Sequence, residues 1–390
     1  MDPVRNPYLP GAGQIPPVLA GRDAELSAWD IALARIEAGR PAQPLVLYGL
    51  RGVGKTVLLT KFAQAARDRD WIVARVEAKT GQSLRAQLGE SLHDSLVDLA
   101  RPSAGTRILK ALKTALSFKA SYDPTGSWTF GVDLRDDGGG ADTGSIEVDL
   151  RKLLLDLAAG AAESGHGVAV LVDEAQDLPL RDREALIAAA HVAGQESEAL
   201  TLAMAGLPSL PRELAEAKSY AERLFAYHPV GALDPVAAAA ALAQPAAQEG
   251  VAWEEAGLDH AARAARGYPY FLQQFGQGAW DTAEGPTITL ADARLGVERG
   301  KSALDNGFFR IRWERATPAE RRYLKAMAND AGQPSDTASV AARLGRTASG
   351  VSSVRGRLIE KGLIYSPATG RVAFTVPLMA DFIDRQIEFD

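Results

Sequence analysis

The sequence contains no cysteine, which excludes a disulfide framework and thiol chemistry and fits a reducing compartment. Histidine is scarce as well: five residues are scattered without ligand-like spacing, so no zinc site is expected. No apolar run reaches the length of about 18 residues that a membrane span needs. The nearest approach, VAAAAALAQPAA, is short, Ala-rich and broken by Pro245, so no membrane association is expected. The opening MDPVRNPYLPGAGQIPPVLAG lacks the basic-then-apolar pattern of a leader. Positive charge is not in excess either: 43 Lys and Arg against 49 Asp and Glu leave a net charge of −6. Any contact with nucleic acid must therefore come from a local patch. No repeat with a period of about 20–50 residues is found. With 46% hydrophobic and 24% charged residues, the composition is that of a globular protein, and a cytoplasmic location is expected.

At 390 residues the chain exceeds one ordinary core, so two or three domains are expected. A Pro- and Gly-rich lead (1–20) gives way to RDAELSAWDIALARIEAG, whose Leu26, Trp29, Ile31, Leu33 and Ile36 recur at helical spacing. Short apolar runs then alternate with helical ones. SLRAQLGESLHDSLVDLAR and GTRILKALKTAL read as helices, and RDDGGGADTGS as a flexible loop. Before that loop, SFKASYDPTGSWTFGVDL alternates around a Pro-Thr-Gly turn and predicts a β-hairpin insert at about 115–145. Its Phe118, Tyr122, Trp128 and Phe130 would form either a surface facing a partner or DNA, or the inner side of a packed insert. From 234 to about 300 the periodicity is wholly helical. The reading is an α/β sheet domain over 21–233, an α-helical lid over 234–305 and a third unit over 306–390.

The segment LVLYGLRGVGKTVLL places a strand, a glycine-rich loop and a helix in succession, with Gly49, Gly52, Val53, Gly54, Lys55, Thr56 and Val57 on a complete G-x-x-x-x-G-K-T pattern. Glycines let successive backbone N–H groups turn inward around phosphate oxygens, and the helix adds the positive end of its dipole. Lys55 would reach the β- and γ-phosphates of ATP, and Thr56 would offer its hydroxyl to Mg²⁺. VAVLVDEAQDL supplies the second half, an aliphatic run ending in Asp173 for the Mg²⁺ shell and Glu174 to orient or deprotonate water. Gln176 and Asp177 would be either polar relays or plain loop residues.

In this order of motifs the chain resembles the AAA+ and STAND ATPases of the origin-initiator and archaeal-type branch, over most of its length. The resemblance implies an α/β P-loop NTPase fold with strands at 45–48, 71–76, 168–172, 199–205 and 224–229 in the order 5-1-4-3-2. VLAGRDAEL resembles the entry motif of that group, which puts Gly21 and Arg22 beside the adenine pocket. GYPYFLQQFG resembles the lid motif, which puts Pro269 near adenine; where relatives carry an arginine after that proline, Tyr270 stands here. The fourth strand ends AMAGLPSL without the usual polar sensor, and Ser209 is the nearest candidate. Arg223 falls where relatives keep an arginine finger for a neighbouring subunit, and a helix-terminal arginine is the plainer alternative. The resemblance thus implies ATP/ADP and Mg²⁺ as ligands and a nucleotide-dependent homo-oligomer, and the departure from it at Tyr270 implies a switch-like ATPase with slow turnover.

The tail TPAERRYLKAMAND, SDTASVAARLG and SGVSSVRGRLIEKG, followed by two short strands, has the pattern of a winged helix. A helix from about Thr347 to Lys361 would turn Val351, Val354, Leu358 and Ile359 inward. It would present Arg346, Ser349, Ser352, Ser353, Arg355 and Arg357 to duplex DNA, with Arg371 of the wing on a phosphate. Between 321 and 371 nine Lys and Arg face three Asp and Glu, the asymmetry DNA binding needs. The expected function is an ATP-hydrolysing switch coupled to DNA binding; the alternative is a STAND-type regulator whose tail binds a protein partner.

Overall fold

The runs Leu-Val-Leu-Tyr and Val-Ala-Val-Leu-Val-Asp show no polar alternation, as strands covered on both faces require. The computed structural model, which describes residues 1–79, 82, 84, 87–88, 91, 119–122, 128–131, 146–162 and 165–386, places them at the centre of a sheet. Chain order gives β1 (Leu45–Tyr48), β2 (Ile72–Glu77), β3 (Lys119–Tyr122), β4 (Trp128–Gly131), β5 (Val168–Asp173), β6 (Leu200–Gly206) and β7 (Ala226–Pro229). Five of these form a parallel sheet in the order β2-β5-β6-β1-β7, which is the expected 5-1-4-3-2. Register is set by Leu45, opposite Ala203 on one side and Ala226 on the other. The fold is that of an α/β P-loop NTPase. β3 and β4 pair antiparallel as the expected hairpin. The side chains of that hairpin, the expected loop at 135–145 and most of the helices expected at 83–101 and 105–116 lie outside the described residues.

Both faces of the sheet are covered. Helices Ile146–Ala162, Leu180–Glu196 and Leu210–Ala217 cover one, and helices Asp23–Glu37 and Lys55–Arg67 the other. Trp29 stacks on Phe62 between the latter two at 4.9 Å. Ile31 departs from expectation: it is 56% exposed, because the inner stripe runs through Glu25, Trp29, Ala32 and Leu33.

The lid holds helices Pro235–Gln248, Glu255–Ala264, Pro269–Thr282 and Leu290–Ala303. Between them β8 (Ala252–Trp253) and β9 (Thr287–Ile288) pair in parallel, too short to show in the periodicity. The last lid helix has no loop after it. It continues through a π-helical turn, Leu304–Phe309, into helix Arg310–Glu314.

Beyond lie helices Pro318–Ala328, Thr337–Arg343 and Ser352–Glu360, a three-stranded sheet and a closing helix, Met379–Asp384, that the sequence reading lacks. The sheet contains β10 (Ser335–Asp336), β11 (Ile364–Tyr365) and β12 (Arg371–Phe374), with β12 in the middle. Val351 and Leu358 are buried and Val354 half-buried as expected, whereas Ile359 is exposed. Among the described residues no helix is long and apolar enough to cross a membrane.

The lead is not a free segment. Tyr8 is buried, donating its hydroxyl to the Leu242 carbonyl and accepting from Trp253 Nε1 at 2.9 Å. Trp280 Nε1 donates to the Asp2 carbonyl, and Asn6 Nδ2 to Asp281. These bonds seat residues 1–9 on the lid.

Candidate functional site

β1 and β5 end on the same edge of the sheet, the edge where open α/β folds bind ligands. After β1 the chain turns through Gly52 (φ 86°) and Gly54 (φ 97°), a left-handed backbone that a Cβ would strain, and Gly54 caps helix Lys55–Arg67. The first-turn N–H groups of that helix have no intrahelical acceptor, an arrangement that suits an anion. Lys55 is buried, and its Nζ donates to the carbonyls of Gly49 and Leu50, both at 2.8 Å. Burial pulls its pKa down to about 8, against the pull of Glu174 and Asp173.

Across the loop, Thr56 Oγ1 donates to Asp173 Oδ2 at 2.7 Å. A hydroxyl and a buried carboxylate in contact are a hard-oxygen donor pair, which fits Mg²⁺. Burial raises the Asp173 carboxyl above its ordinary range, which the Thr56 bond offsets in part. Glu174 follows in the left-handed region (φ 49°, ψ 39°), a cost of roughly 1–2 kcal/mol that over-determined sites sustain. Its Oε2 accepts from Gln176 Nε2 at 2.6 Å and lies 3.6 Å from Arg51 Nη2. Gln176 Oε1 in turn accepts from the Leu207 backbone N–H at 3.0 Å, just past the end of β6. The amide of Gln176 thus joins the acid to the strand end where a polar sensor was expected. Ser209 is buried two residues beyond Leu207, at the start of helix Leu210–Ala217.

Of these groups Arg51, Gly52, Gly54, Lys55, Thr56 and Glu174 line a cleft of about 380 Å³. Arg22 lies on its wall, with Nη2 donating to the carbonyls of Val53 and Gly231. Gly21 packs against Ala237 instead and is not part of the wall. Val53, Val57 and Pro269 line the cleft. Tyr270, the residue after that proline, does so too, and its backbone N–H meets the Gly52 carbonyl at 3.4 Å. Arg223 is exposed at the start of β7, the edge opposite the phosphate loop, beside Gln43. It does not reach the cleft of its own chain.

Sequence reasoning missed several wall residues. The lead contributes Leu9 and residues 11–14, held by the Leu9 N–H on buried Gln273 Oε1 at 3.0 Å. Phe308 and Arg312 contribute from the π turn and the helix after it. Arg312 is visible in the sequence only as one member of the basic run Arg310, Arg312, Arg315, Arg321 and Arg322, which reads as a solvated helix face or as a partner for phosphates or for the ATPase domain. Arg51 was visible only as a variable position of the loop. The C-terminal unit also touches the loop directly: the Arg51 N–H donates to the Thr375 carbonyl at 2.9 Å, and Leu50 packs with Leu207, Tyr365 and Ala373.

The expected DNA-contacting residues divide into two groups. Arg346, Ser349, Ser352 and Ser353 are exposed, and Arg355 is half-buried. Arg357 Nε donates to Glu320 Oε1 at 3.1 Å, and Lys361 Nζ to Glu320 Oε2 at 2.6 Å. Arg343 forms a fork on Asp330, and Arg371 Nη1 donates to the Pro334 carbonyl.

A glycine-rich loop and an acid pair on a sheet of this order define the α/β P-loop NTPase fold. Residues 18–204 match the family described as AAA ATPase domain, and residues 306–383 match a domain of unknown function, DUF8462. None of the curated proteins matches the sequence. Among solved structures, the Walker-type ATPase PABY2304 of Pyrococcus abyssi is 16% identical over 94% of this chain and 96% of its own, with a TM-score of 0.58. The ORC2 protein of Aeropyrum pernix, in its ADP form, is 14% identical over 96% and 97%, with a TM-score of 0.51. At these identities the likeness establishes the fold, and residues 18–204 are similar to an AAA-type ATPase domain.

Proposed function

We propose that the protein is a slow ATP hydrolase that works as a switch, with residues 306–390 as its output. The contact of the phosphate loop with the C-terminal unit, Arg51 N–H on Thr375 carbonyl, carries this reading, because a loop that holds phosphate cannot shift without shifting that strand end. Bound Mg²⁺, held by Thr56 and Asp173, would supply charge neutralisation at the phosphates. Backbone N–H groups of the loop bind the triphosphate, and Lys55 exchanges its two carbonyls for phosphate oxygens. Glu174, anchored through Oε2 by Gln176, keeps Oε1 to take the proton of the attacking water. The lid and lead close over the base, with Arg22 and Pro269 nearby. Arg223, exposed and remote from its own cleft, acts on a neighbouring copy if the ATP form assembles.

For the output we favour duplex DNA, met by Arg346, Ser349, Ser352, Ser353 and Arg355 on one exposed face of a winged helix, with Arg371 at its edge. The internal pairing of Arg343, Arg357 and Lys361 favours the second reading, a protein partner on the same face. ATP turnover by the full chain, with and without duplex DNA over a salt series, tests both. Turnover is expected in the wild type and lost in Lys55→Ala. Glu174→Gln should bind ATP but turn over roughly 10²–10⁴-fold more slowly. Undiminished turnover in Glu174→Gln refutes its role as base. A salt-sensitive DNA shift lost in Arg346→Ala/Arg355→Ala supports the first output; no binding at low salt leaves the protein partner.

A further inference from the structure

Two guanidinium groups from distant parts of the chain line the same cleft. Arg51 rises from the phosphate loop, and Arg312 enters from helix Arg310–Glu314, beyond the π turn. Arg312 is half-buried and held by its own segment: Nη1 donates to the Phe308 carbonyl at 2.7 Å, and the guanidinium lies 3.9 Å over the Phe308 ring. Phe308 stacks on Tyr270 at 5.0 Å, and Tyr270 touches Gly52, so the aromatic shelf under Arg312 ends on the phosphate loop. Among the described residues Arg312 has no carboxylate partner, and the neighbouring charges that act on it include Arg51 and Arg315. Burial, then Arg51, draws its pKa down to about 10. Arg51 leans 3.6 Å from Glu174, and its Nε is buried without a hydrogen-bond partner. Like charges lining one half-buried cleft are unfavourable unless anions offset them, and of the two Glu174 lies against Arg51 alone.

We propose that Arg51 and Arg312 close together on the terminal phosphate of a nucleoside triphosphate, so that the C-terminal unit reads the γ-phosphate from within the same chain. This rests on the reading of the cleft as an ATP site and adds to it which residues tell triphosphate from diphosphate. The planar fork of an arginine suits two phosphate oxygens, and a diphosphate leaves that position without its anion. Arg51 then draws off Glu174 Oε2 as it turns to phosphate, which frees the acid for water at the moment the substrate is complete. Because Arg312 lies past the π turn and Arg51 bonds Thr375, loss of the γ-phosphate releases the C-terminal unit at two points.

Calorimetric titration of the full chain with ATP (as a non-hydrolysed analogue) and with ADP, each with Mg²⁺, tests this. Arg312→Ala should weaken triphosphate binding roughly 10–100-fold and leave ADP within about 2-fold. Arg312→Lys, which keeps the charge but not the fork, should fall between. A merely structural Arg312, stacked on Phe308, would lower both affinities alike or neither, and either result overturns the proposal. Melting temperature, followed in parallel, identifies a variant that fails to fold; Arg51→Ala then stands in and must show the same triphosphate-selective loss. Should the wild type bind neither nucleotide, the ATP-site reading itself falls, an outcome distinct from a wild type that binds both while the variants discriminate no less.

Discussion

Glu320 shows how one residue can be read in two ways. In the sequence it is the fourth member of Thr-Pro-Ala-Glu, a capping box, and the structure shows both halves: Glu320 accepts from the Thr317 N–H at 2.8 Å, and the Thr317 hydroxyl accepts from the Glu320 N–H. Yet the same carboxylate, wholly buried, also takes Lys361 and Arg357. Burial alone would raise its pKa, but Lys361, the Thr317 N–H and Arg357 outweigh it and hold the carboxyl down at about 2. Its folded value lies below its ordinary 4.5, so its contribution is full above that pH and is lost as pH falls towards about 2. Glu320→Gln should cost about 2 kcal/mol at neutral pH, less than a fully buried pair because Arg357 is half exposed. Urea unfolding at pH 7 and at pH 3 checks it: the gap between variant and wild type should narrow in acid. Arg357 is thereby a bracing residue of the C-terminal unit. Its place in the sequence, among serines and arginines on a short helix, gave no hint of that, because the partner lies on another helix.

At the scale of elements, the lid depends on a close crossing of helices Pro269–Thr282 and Leu290–Ala303. A Cβ on Gly296 would stand 2.3 Å from the Ala279 backbone nitrogen, and one on Gly278 would stand 2.5 Å from the Gly296 carbonyl. Backbone cannot yield as a side-chain tip does, so Gly296→Val should push the helices apart and cost about 2–3 kcal/mol, measured as a drop in the urea midpoint with unchanged slope. The parallel sheet, its order and the phosphate loop were legible because each rests on local signals: unbroken aliphatic runs, fixed glycine spacing, acids at a strand end. The lid crossing, the seating of Tyr8 on Leu242 and the short pair of β8 and β9 were not legible. They join segments 17 to 234 residues apart, and nothing local marks which glycine or tyrosine meets which partner.

Across the whole molecule, the cleft is assembled from every part of the chain: the lead, the sheet domain, the lid and the segment that enters the C-terminal unit. A reading that placed the nucleotide between sheet and lid found Lys55, Thr56, Asp173 and Glu174, whose chemistry is written in consecutive residues. It gave the lead no role and left the basic run at 310–322 open between a solvated helix face and a partner for phosphates or for the ATPase domain. An expected outcome follows for the full chain. Adding ATP with Mg²⁺ should slow amide hydrogen exchange at 371–376 and at 306–312 as well as at 49–56, and ADP should protect the last segment alone. Equal protection of all three by ADP would count against any coupling. The π turn gives that coupling a mechanical form. Residues 304–309 wind one residue wider than an α turn, within an unbroken helix that runs from Leu290 to Glu314. If the turn tightened to α-helical bonding with no residue removed, everything downstream would rotate by about 100° and slide by about 1.5 Å. Arg312 would then point away from the cleft, and the C-terminal unit would turn with it, so this one loosely wound turn sets the angular phase between the cleft and the C-terminal unit.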